Sequence, residues 1–263
     1  MGENKAVEVS IKEHVATILM NHQTLTSEFR RGFIETMDKL DKDNDVRVII
    51  LKSSHPKIFF AGGDIKEMAA GTNAVDVFSM IRSALSDSYR VMEKLEYAKK
   101  PSIAVVDGAA MGGGCELSIA CDLTIASETA TFGFPEVKLG LIASAGGVTR
   151  LPKRIGKQRA LDLLLTGRRI SAQEAYQLGL IARVVPKDSL HEEVDKIATQ
   201  IATNAPIAVQ STKAVVAYGE SILERGLGQL SIDTSLENCW KSQDLMEGIQ
   251  AFVQKRTPEF KGI

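Results

Sequence analysis

The chain has 263 residues, of which 44% are hydrophobic and 25% are charged, and its formal net charge is -1 at pH 7. A chain of this length can bury a sizeable core, and we expect one main domain with a smaller additional region. The nearly balanced charge excludes a general electrostatic attraction to nucleic acid or to a membrane surface. No apolar run reaches the length of a membrane span, so no membrane partner is expected.

The cysteines and the first residues of the chain bear on its compartment. Cys115, Cys121 and Cys239 are an odd number and lack the spacing of metal ligands. We interpret them as buried small hydrophobic residues in a reducing compartment, and we predict no metal site. The first five residues lead into a polar strand pattern rather than an apolar signal core, so the cytoplasm is the expected location.

The first predicted elements are a hairpin, a helix and a buried strand. Residues 6–20 alternate apolar and polar types, which predicts a half-buried hairpin whose turn contains His14. Thr26 opens a helix whose apolar positions share one face. Residues 46–52 are nearly all β-branched or apolar, as in a strand buried on both faces.

Two glycine-rich turns come next, and each follows a predicted strand. The first is Ala61-Gly62-Gly63-Asp64, where Asp64 is a candidate N-cap of a short helix. The second is Gly112-Gly113-Gly114, which follows the strand 101–108 and runs into an apolar helical segment carrying Glu116. Glycine lets a backbone approach a ligand closely, whereas a carboxylate among apolar residues is expensive to bury. The second turn therefore indicates a ligand held against backbone amides, with an acid beside it.

The rest of the chain changes from mixed to helical patterns. Pro135 interrupts regular structure after the strand 123–126, so we predict that Glu136 is presented from a loop. From residue 189 onward only helical patterns appear, which places the best domain boundary near residue 200: a core over 1–200 and a helical region over 201–263. The remaining predicted elements are helices at 144–154, 157–166, 171–179, 189–203, 206–221, 224–241 and 244–255, and a strand at 184–185.

Glu116 and Glu136 are the pair of residues that most directly indicates acid–base catalysis. Two carboxylates that face one water or one carbon acid can divide the duties of general acid and general base. Burial in an apolar pocket would raise the pKa of at least one of them toward the working pH. The two glycine turns can each supply a backbone N–H, and two such donors aimed at one carbonyl oxygen form an oxyanion hole.

Other interpretations of the same residues remain open at this stage. The triple glycine is equally consistent with tight packing, and a single helical Glu is usually solvated. Asp122 is expected to cap or pair at a strand end, and Arg150 and Arg154 are expected to form structural ion pairs. No His forms a nucleophile triad with an identifiable Ser or Cys. The glycines do not follow the dinucleotide or P-loop pattern.

Four motifs lie at 61–68, 112–117, 134–140 and 145–147. In their order and spacing they resemble the enoyl-CoA hydratases of the crotonase superfamily, and residues 244–256 resemble the last helix of that family. The resemblance covers nearly the whole chain, and the four motifs together are far more specific than any one of them.

This resemblance implies an α/β fold, a spiral of repeated β-β-α units followed by a C-terminal helical trimerisation region. It implies a homo-oligomer, either a trimer or a dimer of trimers, that binds acyl-CoA. The thioester oxygen would be held by the N–H groups of Gly63 and Gly113, and the catalytic residues would be Glu116 and Glu136. No metal or redox cofactor is implied, and coenzyme A is part of the substrate. The residues implied to contact substrate are Ala61, Asp64, Ile65, Lys66, Ser144 and Lys255. For the two lysines, solvated surface positions are the alternative.

Three departures from the family pattern leave the acyl group open. Residues 21–25 lack the usual elements of that segment, Gly63 stands where Ala is commonest, and Ser144 lies in a changed stretch before Ala145-Gly146-Gly147. The first hypothesis is a hydratase of trans-2-enoyl-CoA. The second is an isomerase, or a hydratase of a branched, cyclic or amine-bearing acyl-CoA. The third is a catalytically silent acyl-CoA-binding trimer, against which the presence of both glutamates argues.

Overall fold

The computed structural model describes residues 6–64, 86–218, 243, 244, 247, 251, 254 and 256–263. This part of the chain forms ten strands in two sheets, together with the helices given below. The strands are β1 (Val7–Lys12), β2 (Val15–Met20), β3 (Val48–Ser53), β4 (Ile58–Phe60), β5 (Ser102–Val106), β6 (Ala109–Met111), β7 (Leu123–Ser127), β8 (Thr131–Gly133), β9 (Arg169–Ser171) and β10 (Arg183–Val185).

The helices pack against both sheets and carry the segments that follow the strands. The second of them, α2, is described over residues 86–96. The others are α1 (Ser27–Lys42), α3 (Gly113–Ala120), α4 (Gly147–Ile155), α5 (Lys157–Thr166), α6 (Ala172–Leu178), α7 (Leu190–Ala202) and α8 (Pro206–Tyr218).

The strand order shows how the chain winds. One sheet has the order β1-β2-β3-β5-β7-β10 and the other has the order β4-β6-β8-β9. The successive pairs β3/β4, β5/β6 and β7/β8 each give one strand to each sheet, and neighbouring strands of successive pairs run parallel. This winding confirms the predicted α/β class of repeated strand-strand-helix units.

The amino-terminal predictions are confirmed. β1 and β2 pair antiparallel through a turn in which Glu13 and His14 have positive φ. Thr26 caps α1 by accepting a hydrogen bond from the Phe29 N–H at 3.1 Å, which satisfies a donor that would have no partner inside the helix. The apolar face of α1, including Phe33, is buried in the core.

The core lies on both faces of the six-stranded sheet, which explains why its strands are almost wholly apolar. Val48 and Ile50 face a cluster that includes Val194 of α7, whereas Ile49 and Leu51 face the larger cluster formed with α1, α3 and the second sheet. This alternation follows from the two-residue period of a strand. Each such side chain contributes about 1.5–3 kcal/mol when it is fully buried.

The structure corrects the sequence prediction in two respects. Pro135 does not open a loop: it begins a short 3-10 helix, Pro135–Leu139, because its fixed φ suits the first turn of a helix. The strands β6, β8 and β9 were not predicted as separate elements. Each has three residues, which is too short for the period of a strand to be recognised.

The later helices and β10 confirm the predicted pattern as far as residue 218. The predicted helix 224–241 lies outside the described residues, as do Cys239 and most of 244–255. The boundary near residue 200 and the trimerisation region therefore stay predictions. In the part of the chain that the structure describes, none of the helices has the length and apolar content needed to cross a membrane.

Candidate active site

A pocket of about 90 Å³ lies at one edge of the four-stranded sheet. The parallel strands β4, β6 and β8 are neighbours there, so the segments that follow them, beginning at residues 61, 112 and 134, leave the sheet at the same edge. Ligands bind at such edges because the carboxyl ends of parallel strands leave a crevice there. The described lining residues are Leu25, Ala61, Gly62, Gly63, Ser88, Gly112, Gly113, Glu116, Pro135, Glu136, Leu139, Leu141, Ile142, Ser144 and Ala145.

Glu116 lies in the first turn of α3 and is only 3% exposed. Its Oε1 accepts a hydrogen bond from the Gly147 N–H at 2.8 Å. Burial, reinforced by the nearby charge of Glu136, raises the pKa of Glu116 to about 8, although the Gly147 N–H and Arg150 act in the opposite direction. This carboxyl group can therefore gain or lose a proton close to neutral pH.

Glu136 approaches the pocket from the 3-10 helix and is half-buried. Its Oε2 is buried and has no hydrogen-bond partner among the described residues, and burial raises its pKa. Gly112 has a φ of 54°, and a Cβ there would lie 2.8 Å from Glu136 Oε1. The absence of a side chain at Gly112 is thus what lets this carboxylate lie against the backbone at the start of α3.

The two predicted backbone donors lie on touching segments. Gly113 is the first residue of α3, and the first N–H groups of a helix have no partner inside it. A Cβ on Gly113 would lie 3.1 Å from the Gly62 Cα. The neighbouring Gly62 carbonyl accepts a hydrogen bond from the Leu25 N–H at 2.8 Å, while the Gly63 N–H forms no hydrogen bond within the described part of the chain. Two N–H donors therefore remain available beside the carboxylates.

Ser144 lines the pocket on the side of Ala145. Its Oγ is buried and, like Glu136 Oε2, finds no hydrogen-bond partner in residues that the structure describes. A buried hydroxyl without a partner is unfavourable by about 1–3 kcal/mol. Ser144 therefore adds a polar group beside the apolar lining residues Leu141, Ile142 and Ala145.

The remaining residues that the resemblance assigned to substrate have different positions. Ala61 lines the pocket. Asp64 is not among the lining residues, and its Oδ2 accepts a hydrogen bond from Thr24 Oγ1 at 3.1 Å. Ile65, Lys66 and Lys255 lie outside the described residues.

Sequence reasoning missed the partner of Glu116 and most of the apolar wall. The Gly147 N–H is the group that holds Glu116, and the pair Gly146-Gly147 was the signal for it. Leu139, Leu141 and Ile142 form part of the wall, and the apolar run after Glu136 could have indicated them.

The structural interpretations of Asp122 and Arg150 are confirmed. Asp122 Oδ2 accepts hydrogen bonds from Ser102 and pairs with Lys213 at 2.8 Å, and Arg150 pairs with Glu96. Arg154 donates to the backbone carbonyls of residues 119 and 121. Within the described ranges, no three His, Cys, Asp or Glu side chains are grouped as a metal ion would require.

Comparison with known proteins gives a consistent result over nearly the whole chain. The family model described as enoyl-CoA hydratase/isomerase matches residues 10–263. A probable enoyl-CoA hydratase of Mycobacterium leprae is 40% identical over 253 residues, covering 94% of this chain and 95% of that protein. An enoyl-CoA isomerase/hydratase of Mycosarcoma maydis is 39% identical over 219 residues, covering 82% of this chain and 77% of that protein. The crystal structure of an enoyl-CoA hydratase from Bacillus anthracis matches with a TM-score of 0.92 and 39% identity, covering 98% of this chain and 100% of that one.

Proposed function

Because the chain belongs to the enoyl-CoA hydratase/isomerase family of the crotonase superfamily and is an enzyme of the hydro-lyase kind, we propose that it reversibly hydrates trans-2-enoyl-CoA to 3-hydroxyacyl-CoA. The observation that carries this proposal is the shared pocket of Glu116 and Glu136, beside the N–H groups of Gly63 and Gly113. Acid, base and paired donors are the groups that addition of water to a conjugated thioester requires.

In the proposed reaction both carboxyl groups hold one water molecule. Glu116, as carboxylate, takes a proton from this water while the water oxygen bonds to the β carbon of the enoyl group. Glu136, as carboxylic acid, gives a proton to the α carbon. The elements of one water are thereby added across the double bond, and the proton left on Glu116 passes back to Glu136 for the next turnover. The reverse steps dehydrate the product.

The surroundings of the pair favour a single shared proton, which a pKa of about 8 places on Glu116 in the free enzyme, so the scheme needs this proton to pass to Glu136 before water adds. Burial and mutual repulsion raise the pKa of Glu116 to about 8, and burial raises the pKa of Glu136. The two neighbouring carboxyl groups therefore tend to hold one proton between them near neutral pH. A pair with a single proton contains one base and one acid.

Negative charge develops on the thioester oxygen when water adds to the β carbon. In the proposal, the N–H groups of Gly63 and Gly113 donate to this oxygen and stabilise the enolate. The position of Gly113 at the start of α3 favours such an anion, since the helix dipole is positive there. The loss of one donor of this kind typically lowers the rate by about 10²–10³.

We propose that Ala61, Asp64, Ile65, Lys66, Ser144 and Lys255 contribute to binding the acyl-CoA. The two lysines would pair with the anionic groups of coenzyme A, and Ser144 would contact the acyl group near the reacting carbons. Coenzyme A enters as part of the substrate, and the scheme uses no further cofactor or metal. A trimer or dimer of trimers in the cytoplasm stays part of the proposal.

Isomerisation of the double bond is the second candidate, since the Mycosarcoma maydis relative is named an isomerase/hydratase. Such a reaction would use the same donors to stabilise the same kind of enolate, but it would move a proton between carbons without adding water. The two reactions differ in product, so one assay separates them.

The test is to incubate the purified protein with crotonyl-CoA in water labelled with oxygen-18. We expect 3-hydroxybutyryl-CoA that carries one labelled oxygen. A 3-enoyl-CoA substrate in a parallel reaction detects isomerisation, because it would give the 2-enoyl isomer. If no enoyl-CoA of a panel varied in chain length and ring content is converted while acyl-CoA still binds, the proposed hydration is wrong and the silent acyl-CoA-binding trimer is favoured.

A further inference from the structure

The Arg150 guanidinium packs against the turn formed by residues 145–147, whose Gly147 N–H donates to Glu116. Arg150 belongs to α4 and is buried, and its Nη1 donates to the Ala145 carbonyl at 3.1 Å. Gly146 has a φ of 126°, and a Cβ there would overlap the Arg150 guanidinium. The bare backbone of Gly146 therefore lets the guanidinium lie against the turn formed by residues 145–147.

The same guanidinium is anchored on its other side by α2. Its Nε donates to Glu96 Oε2 at 3.0 Å, and its Nη2 also pairs with that oxygen. The guanidinium lies over the Tyr89 ring, 5.5 Å from the centroid. A planar guanidinium with several donors can hold a carbonyl and a carboxylate in one fixed arrangement, which an ammonium group cannot do.

The turn held by Arg150 ends in the N–H that donates to Glu116. The Gly147 N–H lies two residues beyond the Ala145 carbonyl and bonds to Glu116 Oε1 at 2.8 Å. Arg150 is not among the described residues that line the pocket, so it reaches the carboxylate only through this turn and through its charge.

We propose that Arg150, balanced by Glu96, is a positioning residue that fixes the Gly147 N–H on Glu116 and sets the electrostatic field at that carboxylate. This inference rests on the proposed function, in which Glu116 takes a proton from water. It assigns a functional part to an arginine that the sequence indicated only as a structural ion-pair partner.

The charges around Glu116 give the inference a directional consequence. Glu136 raises the pKa of Glu116 and Arg150 lowers it, while the adjacent Cys115 is neutral because burial raises the pKa of its thiol. The groups that face Arg150 are Glu96, Tyr89 and Tyr97. Removal of the Arg150 charge should therefore raise the pKa of Glu116. Removal of the Glu96 charge leaves the positive charge of Arg150 without its partner and should lower the pKa of Glu116.

The experiment compares wild type, Arg150→Gln and Glu96→Gln by the pH profile of kcat/KM for hydration. We expect the Arg150→Gln profile to move to higher pH and the Glu96→Gln profile to move to lower pH, each by about half a unit or more. In Arg150→Gln we also expect kcat to fall about tenfold or more with little change in KM, since the turn loses its anchor outside the pocket.

A second readout does not depend on activity. Carbon-13 NMR of labelled glutamate follows the titration of Glu116 in the free enzyme, with Glu116→Gln assigning the signal. If the titration shifts as expected but wild type hydrates no enoyl-CoA, the proposed function fails, while the electrostatic influence of Arg150 on Glu116 is supported. If wild type hydrates and neither the profile nor the titration shifts, or both variants shift in the same direction, the inference is overturned.

Two further variants separate charge from geometry. Arg150→Lys keeps the charge but loses the planar guanidinium with its several donors. Its pH profile should therefore stay near that of wild type while its kcat stays low. Arg47→Gln is the matched control, since Arg47 also bonds backbone carbonyls, those of Ala202 and Phe260, away from the pocket. This control should lower stability without moving the profile. A shift in Arg47→Gln as large as that in Arg150→Gln contradicts a specific role for Arg150.

Discussion

The two sides of the pocket hold their carboxyl groups in different ways. The Glu116 side is part of the core: the side chain lies in α3, is 3% exposed and has its Oε1 fixed by the Gly147 N–H. The Glu136 side belongs to the rim: the side chain lies on a short 3-10 helix whose neighbouring residues Val137 and Leu139 are exposed, and its Oε2 has no partner in the described structure.

This difference teaches how one residue type can take two roles. Glu116 is buried and bonded to the Gly147 N–H where its proton affinity is high, which suits a base that must accept a proton from water. Glu136 has a buried oxygen without a hydrogen-bond partner among the described residues, which suits a group that must give its proton to a substrate carbon. In the proposed mechanism, the environments of the two glutamates, rather than the residue type, divide the work.

The largest expected effect comes from the rim side. Glu136→Gln keeps the size of the side chain but removes the proton that is proposed to reach the α carbon. We expect the hydration rate on crotonyl-CoA to fall by about 10²–10⁴, the usual contribution of general acid–base catalysis. The dissociation constant of butyryl-CoA serves as the control and should change little. A variant that hydrates at the wild-type rate would show that Glu136 has no catalytic part.

The next largest effect concerns Glu116, and it is an effect on the stability of the folded chain rather than on the rate. The pKa of Glu116 is about 8 in the folded chain, against an ordinary value of 4.5. The folded state therefore binds the extra proton between these values, and wild-type stability falls as pH rises through this window. Glu116→Gln abolishes this loss.

Thermal unfolding at about pH 5 and about pH 9 measures this difference. We expect the Tm of Glu116→Gln relative to wild type to rise between the two conditions by roughly 5 °C or more. Glu136→Gln is the matched control and should show a smaller rise, because its carboxyl group is only half-buried. Equal rises in both variants would remove the contrast between core and rim.

The smallest effect concerns the wall at Ser144. The Ser144 Oγ has no hydrogen-bond partner among the residues that the structure describes. If it contacts a polar substituent of the acyl group, Ser144→Ala should lower kcat/KM for a hydroxyl- or amine-bearing enoyl-CoA by about tenfold. The rate with crotonyl-CoA, which lacks such a substituent, is the internal control and should stay nearly constant. Equal changes for both substrates would indicate that Ser144 affects packing rather than specificity.

The residues of the candidate site could be predicted from the sequence, but the strand pairing that brings them together could not. Glu116 and Glu136 could be named because one follows a glycine turn and the other a proline, whereas the resemblance to the family singled out Gly63 and Gly113 within the two glycine turns. What brings them together is the parallel pairing of β4, β6 and β8, and three-residue strands leave no periodic signal in a sequence. The resemblance to a family supplied the architecture that periodicity could not.

Contacts between distant segments were beyond sequence reasoning. Arg150 could be interpreted as an ion-pair partner, but Glu96 lies 54 positions away, and no local pattern selects it among the acidic residues of the chain. The Gly147 N–H on Glu116 spans 31 positions. Pro135 led to the wrong prediction of a loop, because a proline that ends one element can equally begin a helical turn.

The central claim is that both carboxyl groups act as one unit on a single water. The direct test measures crotonyl-CoA hydration by Glu116→Gln, by Glu136→Gln and by the double variant. Residues that act as a unit have strongly non-additive effects, so each single variant should lose most of the rate and the double should lie within about tenfold of the worse single. Losses that multiply in the double variant, or full activity in Glu116→Gln, would contradict the two-glutamate mechanism.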